Sequence, residues 1–343
     1  MINASIKWLA LIGLAFFISS CTKPEPALLK VQGQTMGTYY QVTYVLSSEQ
    51  TSNKQLLSNA LKELIDQQLE LVNDQMSTYR PNSELSLFNK SKSSQEVSDA
   101  TIKVVSEALK IYQQSGGAFD VTVGPLVNLW GFGPDKKPNK IPDAELIEKT
   151  KQNIGSQYLS IEGNKLIKTK PGLYVDLSSI AKGYGVDAIA EFMEAKGINN
   201  YLVDIGGELR ASGTKLNQQP WTLAIERPGL GQNVQRLLHI GDSAIATSGD
   251  YRNYFEADGI RYSHTIDPKT GRPINHKLVS VTVIDESSMV ADGLATAITV
   301  LGPKDGLEFA TKLKQPVFLL TKQGDGFIES FTPEFEQYLV EEK

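Results

Sequence analysis

Two hydrophobic periods are interleaved along this chain without settling into a regular repeat, and that pattern limits the fold more than any single motif does. Residues 36–46 are β-branched and aromatic, as a strand requires, and over 54–76 leucines recur at helical spacing. Ser98 predicts an N-cap, with Ile102, Val105, Ala108, Leu109 and Tyr112 on one helical face and Gly116-Gly117 as the stop. A polar segment, 79–92, separates the two helices. Beyond a Gly/Pro/Lys-rich loop at 131–142 come a short helix over 144–153 and a hairpin over 158–169 that turns at Gly163-Asn164. The second half alternates again: a helix over 179–196, strands around Tyr201, Trp221, Leu237, Ile245 and Val281, helices over 291–301 and 304–314, and strands near Val317 and Phe327. Strands and helices mixed in this way favour α+β over a doubly wound parallel sheet. The 131–142 loop is the place for a subdomain boundary.

The N-terminus is of another kind. Lys7 precedes an apolar run from Trp8 to Ile18, and Ser19-Ser20 lead into Cys21. This reads as a signal peptide over 1–20, since a bilayer span needs about twenty apolar residues. The ending Ile18-Ser19-Ser20-Cys21 resembles a bacterial lipobox, with Ile18 where Leu is usual. Cys21 would then be the lipidated first residue of the mature protein, 21–30 a tether, and 31–343 the working domain, attached to the membrane through the anchor alone. Cys21 is also the only cysteine, so the mature chain has no internal disulfide and no thiol for catalysis or metal binding. The 343 residues carry a formal charge of −5 with no dense Lys/Arg block, which leaves no footprint for nucleic acid.

Short segments dense in Gly, Asp, Ser, Thr and Lys hold the candidate chemistry. Residues 176–185 join a strand to a helix start, where free N–H groups and Lys182 favour a phosphate, although a capped helix with a solvated lysine has the same pattern. Strands run into Gly206-Gly207-Glu208 and into 246–251, either of which could be an ordinary turn. The segment 263–273 contains His264, one of three histidines, beside a Pro/Gly-rich loop. It could serve as a base near neutral pH or simply hydrogen-bond the loop, whereas His239 between Leu238 and Ile240 reads as structural. Asp292 and Thr296 lie four apart, so both oxygens leave one helical face and suit a hard ion such as Mg2+; Asp292 could instead cap the helix. The lack of a His/Cys cluster argues against zinc.

In identity and order these segments resemble the ApbE family, the FAD:protein FMN transferases, from Thr35-Met36-Gly37-Thr38-Tyr39 through 118–120, 176–185, 202–208, 246–251 and 263–273 to Ala291-Asp292-Gly293-Leu294-Ala295-Thr296. The resemblance implies an α+β fold of mixed sheets with flanking helices and a central FAD cleft. It assigns FAD contacts to Met36, Tyr79, Ala118, Phe119, Asp120, Asp176, Lys182 and Ile266. It assigns the metal to Asp292, Thr296 and the backbone carbonyl of Ser179. Some members carry an acid before the metal-binding threonine; Ala295 stands there in this chain, which leaves Mg2+ or Ca2+ open. His264 is implied as the base for an acceptor threonine, with Tyr79 and Phe119 offering aromatic faces to the rings of FAD. The implied acceptors are periplasm-facing subunits of sodium-pumping NADH:quinone reductase and of Rnf complexes, met by an enzyme lipid-anchored in the bacterial cell envelope at the inner membrane. Two rivals are a metal-dependent FAD pyrophosphatase and a lipid-anchored flavin-binding carrier; mere binding needs neither a metal pair nor a base.

Overall fold

Alternation over residues 38–46 starts the sheet: Tyr40, Val42, Tyr44 and Leu46 are buried, while Tyr39 between them points out and is 53% exposed. The computed structural model describes residues 25–48, 54–133, 141–229, 233–249, 254–257 and 260–340. The signal-like run, Cys21, residues 250–251 and most of the 131–142 loop lie outside the described residues.

Eight strands form one antiparallel sheet whose order in space is their order along the chain. They are β1 (Ala27–Thr35), β2 (Thr38–Leu46), β3 (Tyr201–Ile205), β4 (Glu208–Ser212), β5 (Ala244–Gly249), β6 (Leu278–Asp285), β7 (Val317–Gln323) and β8 (Gly326–Phe331). Between β2 and β3 the chain inserts α1 (Lys54–Met76), α2 (Glu84–Lys90), α3 (Asp99–Gln114), α4 (Gly124–Leu129), α5 (Ala144–Lys151) and α6 (Ala181–Ala195); α7 (Ser288–Leu313) lies between β6 and β7. Helices α1, α6 and α7 cover one face of the sheet. The other face, over β4 to β7, is covered by a hairpin, Thr222–Glu226 with Val234–His239, and by the 3-10 turn Pro333–Tyr338, around Trp221, Leu238, Phe318 and Phe335. Strand β6 is buried on both faces from Leu278 to Ile284, with Ser280 and Thr282 buried among its apolar residues.

The α+β expectation holds, with three differences of detail. Strand β1 begins at Ala27, inside the stretch expected as tether. It is an edge strand in which only Val31 and Thr35 are buried, so its residues carry little hydrophobic period. The polar segment 79–92 contains α2, a short helix whose Ser83 cap accepts a hydrogen bond from the Ser86 N–H. The two helices expected over 291–314 are one run broken at Gly302, where φ is +83° and Pro303 follows.

Helices α6 and α7 meet at their N-termini, and Gly183 sets the spacing. A Cβ there would lie 2.3 Å from the Ser288 carbonyl oxygen and 2.7 Å from the Met289 Cα, both backbone atoms that no rotamer change can move. Gly183→Ala should therefore force the two helices apart at a cost of about 1–3 kcal/mol. Thermal denaturation would register this as a lower Tm, and an unchanged Tm would contradict the close approach.

Candidate active site

The turn between β1 and β2 is Met36-Gly37, with φ of +49° and +72°. Two positive φ values suit a tight hairpin turn, but a left-handed methionine is a strained choice and tends to mark a functional position. The Met36 side chain lies over α6 where Gly185 leaves room: a Cβ at Gly185 would stand 2.8 Å from Met36 Cε. The Asn73 Nδ2 donates to Thr35 Oγ1 at 3.1 Å and fixes the turn to α1. Below the turn opens a cleft of about 920 Å3, walled by the end of α1, residues 77–80 and the 176–182 join. Four of the expected FAD contacts, Met36, Tyr79, Asp176 and Lys182, line it together. Tyr79 is 72% exposed, so its ring has a face free for stacking.

Behind the cleft wall the start of α6 and the first turns of α7 bring oxygen donors together. In a continuing helix the Gly183 N–H would close on the carbonyl of Ser179; here it donates to Asp292 Oδ2 at 3.1 Å. Among the described residues no hydrogen bond reaches the Ser179 carbonyl. Thr296 lies one turn beyond Asp292 and is the one residue from 291 to 299 that is not buried; its Oγ1 is 3.4 Å from Ser248 Oγ. Burial pushes the Asp292 carboxyl up, against the lowering pull of Lys182 and of the Gly183 N–H. A buried carboxylate, a hydroxyl four residues on and a backbone carbonyl deprived of its helical donor form a hard-oxygen set that fits a divalent cation. Ala295 adds no ligand because it belongs to the core.

Lys182 forms an ion pair with Glu208, which is 4% exposed at the start of β4. Burial works against the lysine ammonium, yet the charges of Asp292 and Glu208 outweigh it and hold Lys182 above the ordinary lysine value. Burial and the nearby Asp292 charge push Glu208 up to about 7, although Lys182 opposes them. Asp187, on α6, supports the same corner. Its carboxylate accepts from Ser288 N (2.9 Å), Met289 N (3.0 Å) and Ser287 Oγ (2.6 Å), and Arg210 sits 3.0 Å away. Asp187 thereby caps α7, the helix that carries Asp292 and Thr296.

The other expected residues reach the cleft indirectly or stand apart from it. The Asp176 N–H donates to the Val121 carbonyl at 2.7 Å, which places 118–121 against the cleft floor. Within that segment, however, Phe119 is buried in the main core, so the aromatic face expected of it is already taken by packing. Asp120 is engaged internally, accepting from the Thr122 N–H (2.8 Å), Thr122 Oγ1 (2.6 Å) and Ser156 Oγ (2.7 Å). Ala118 is buried beside them. His264 and Ile266 do not line the cleft. His264 follows the strand Ile260–Ser263, half-buried, with its ring edge-on to Phe132 at 6.3 Å. Ile266 packs with Leu126 and Trp130, and the Trp130 Nε1 donates to the Gly271 carbonyl at 2.9 Å. That arm is joined to the cleft through α4, since a Cβ at Gly124 would stand 3.3 Å from Asp176 Cβ.

Asp187, Glu208 and Asn73 had no role assigned from the sequence. Asp187 could have been found as an acid on the buried stripe of α6, beside Gly183, Val186 and Ala190. A large cleft with an exposed aromatic ring, a fixed ammonium and a hard-oxygen set can bind a phosphate-bearing aromatic ligand and stabilise charge at its phosphorus.

Known proteins resemble this chain over nearly its whole length. The profile of the ApbE family matches residues 36–319. An FAD:protein FMN transferase of Vibrio cholerae is 48% identical over 336 residues, spanning 97% of this chain and 99% of that protein. One from Escherichia coli K12 is 41% identical over 353 residues, spanning 99% of each. Among solved structures, the flavin transferase ApbE of Vibrio cholerae superposes with a TM-score of 0.84 at 48% identity, covering 92% of this chain and all of that one. The apo flavinyl transferase ApbE of Pseudomonas stutzeri gives 0.83 at 40% identity, covering 91% and 96%.

Proposed function

The chain belongs to the ApbE family, and on that basis we propose that it transfers the FMN half of FAD onto a threonine hydroxyl of an acceptor protein, with AMP as the leaving group and Mg2+ or Ca2+ as cofactor. The observation that carries the reading is the juxtaposition of the cleft, lined by Met36, Tyr79, Asp176 and Lys182, with the oxygen set of Ser179, Asp292 and Thr296.

Tyr79 and Met36 hold an aromatic ring of FAD at the cleft rim, and Lys182 faces the pyrophosphate with a full positive charge. A divalent cation held by Asp292, Thr296 and the Ser179 carbonyl would supply further positive charge against the pyrophosphate. The acceptor hydroxyl attacks the FMN-side phosphorus: its oxygen–phosphorus bond forms, the bridging bond to AMP breaks, and AMP keeps the bridging oxygen. His264 takes the hydroxyl proton. The loop that presents His264 is stiffened by the Ile266–Asp267 and Arg272–Pro273 pairing and by the Ile274 N–H on the Thr265 carbonyl at 3.0 Å.

The acceptors this reading supports are periplasm-facing subunits of sodium-pumping NADH:quinone reductase or Rnf complexes. A lipid on Cys21 would hold the enzyme at the inner-membrane surface and raise its encounter with such partners. The test is stoichiometry: with FAD, Mg2+ and an acceptor domain, one AMP should appear for each FMN attached. AMP accompanied by free FMN would make water the acceptor, and intact FAD with a proven acceptor would leave a flavin carrier.

A further inference from the structure

One lysine ammonium in this site has two buried carboxylates within electrostatic reach but pairs with only one of them. Lys182 is bonded to Glu208, and Asp292 acts on it through its charge; among the described residues no ion pair joins Lys182 to Asp292. Among the described residues, the hydrogen bond to Asp292 comes from the Gly183 N–H. Among the described residues, Lys182 is the one side chain hydrogen-bonded to the Glu208 carboxylate: Oε1 takes the lysine, and the buried Oε2 has no hydrogen-bond partner. A buried, half-satisfied carboxylate is costly, so its ion pair should matter to the site.

Glu208 is also held where it cannot follow the lysine. It opens β4 directly after Gly206 and Gly207, whose φ values of +64° and +105° make the tight turn from β3. Lys182, by contrast, is a compact charge on a flexible four-carbon stem. Released from Glu208, its ammonium would keep Asp292, which is bonded to the N–H of the very next residue, as the remaining carboxylate within electrostatic reach. An ammonium seated on Asp292 would occupy the oxygen that a divalent cation needs.

We infer that Glu208 is a positioning residue that keeps the Lys182 ammonium off Asp292 and thereby leaves Asp292 free for the cation. This rests on the metal half of the function proposed above. It gives Lys182 and Asp292 separate tasks, one toward the pyrophosphate and one toward the cation, with Glu208 enforcing the separation.

The test is a double-mutant cycle read by Mn2+ binding to FAD-free protein, with free Mn2+ followed by electron paramagnetic resonance. The buffer is set above the value of about 7 to which burial raises Glu208. Glu208→Gln in the Lys182 background should weaken Mn2+ binding about 10- to 100-fold, as loss of a group supporting a metal ligand does. In the Lys182→Gln background the same change should have little effect, because no ammonium is left to occupy Asp292. An equal loss in both backgrounds would overturn the inference, since it would mean that Glu208 acts on the cation by plain charge or as a ligand. Should Glu208→Gln fail to fold, Lys182→Gln alone decides: Mn2+ binding tightened more than about 100-fold would show that the lysine already competes in the wild type. Saturable binding by the wild type combined with an additive cycle removes this inference alone. Absence of Mn2+ binding by the wild type removes the cation site, and both readings with it.

Discussion

Asp292→Asn should reduce FMN transfer by about a thousandfold or more, because it removes the one charged member of the oxygen set and with it several kcal/mol of charge stabilisation at the phosphorus. The replacement is nearly isosteric, and its amide oxygen can still accept the Gly183 N–H that joins α6 to α7. The fold should not suffer. Burial already pushes the Asp292 carboxyl up, so the charge is a burden on the cation-free protein, and the variant should melt at the same temperature or a higher one. Lost activity with retained or increased stability is what a group kept for function shows. Magnesium titration of transfer checks the ligand assignment: a wild-type magnesium dependence in Asp292→Asn would remove Asp292 from the metal set.

His264→Ala should slow transfer by about a hundred- to ten-thousandfold, the usual contribution of a positioned general base, while FAD still binds. Binding should survive because the cleft walls, Met36, Tyr79, Asp176 and Lys182, belong to the β1–β2 turn, residues 77–80 and the 176–182 join at the start of α6, not to the arm that bears His264. The ring packs edge-on to Phe132 within an aromatic group that includes Phe255 and Tyr262, so some loss of stability is expected as well. Equilibrium FAD binding separates the two effects. Normal binding with slow transfer supports the base, whereas normal transfer would remove His264 from the mechanism.

The major helices and the sheet were legible because their hydrophobic periods are strong. The leucines of α1 recur at helical spacing, and Leu61, Ile65 and Leu69 are buried. Ser98 caps α3 as its position suggested. Strand β1 was hidden because an edge strand with two buried residues needs few apolar side chains. Members of the candidate site were legible wherever they fall in one local run, as in the 176–185 join and in the Asp292/Thr296 spacing. What could not be read were the partnerships made across the sheet and between helices. Glu208 stands 26 residues from Lys182 and meets it only because β3 and β4 carry the chain back to α6. Asp187 lies about a hundred residues before the α7 N-terminus that it caps. Phe119 illustrates the reverse error: its aromatic type suggested a stacking face, but it is buried in the main core, which takes that face.

The central claim is tested most directly by the intact mass of a purified acceptor domain after incubation with this protein, FAD and Mg2+, beside an acceptor whose target threonine is replaced by alanine. A mass increase of one FMN on the first acceptor, absent from the second, is the predicted result. An unchanged acceptor mass would contradict the account, provided the same domain is flavinylated by an established transferase.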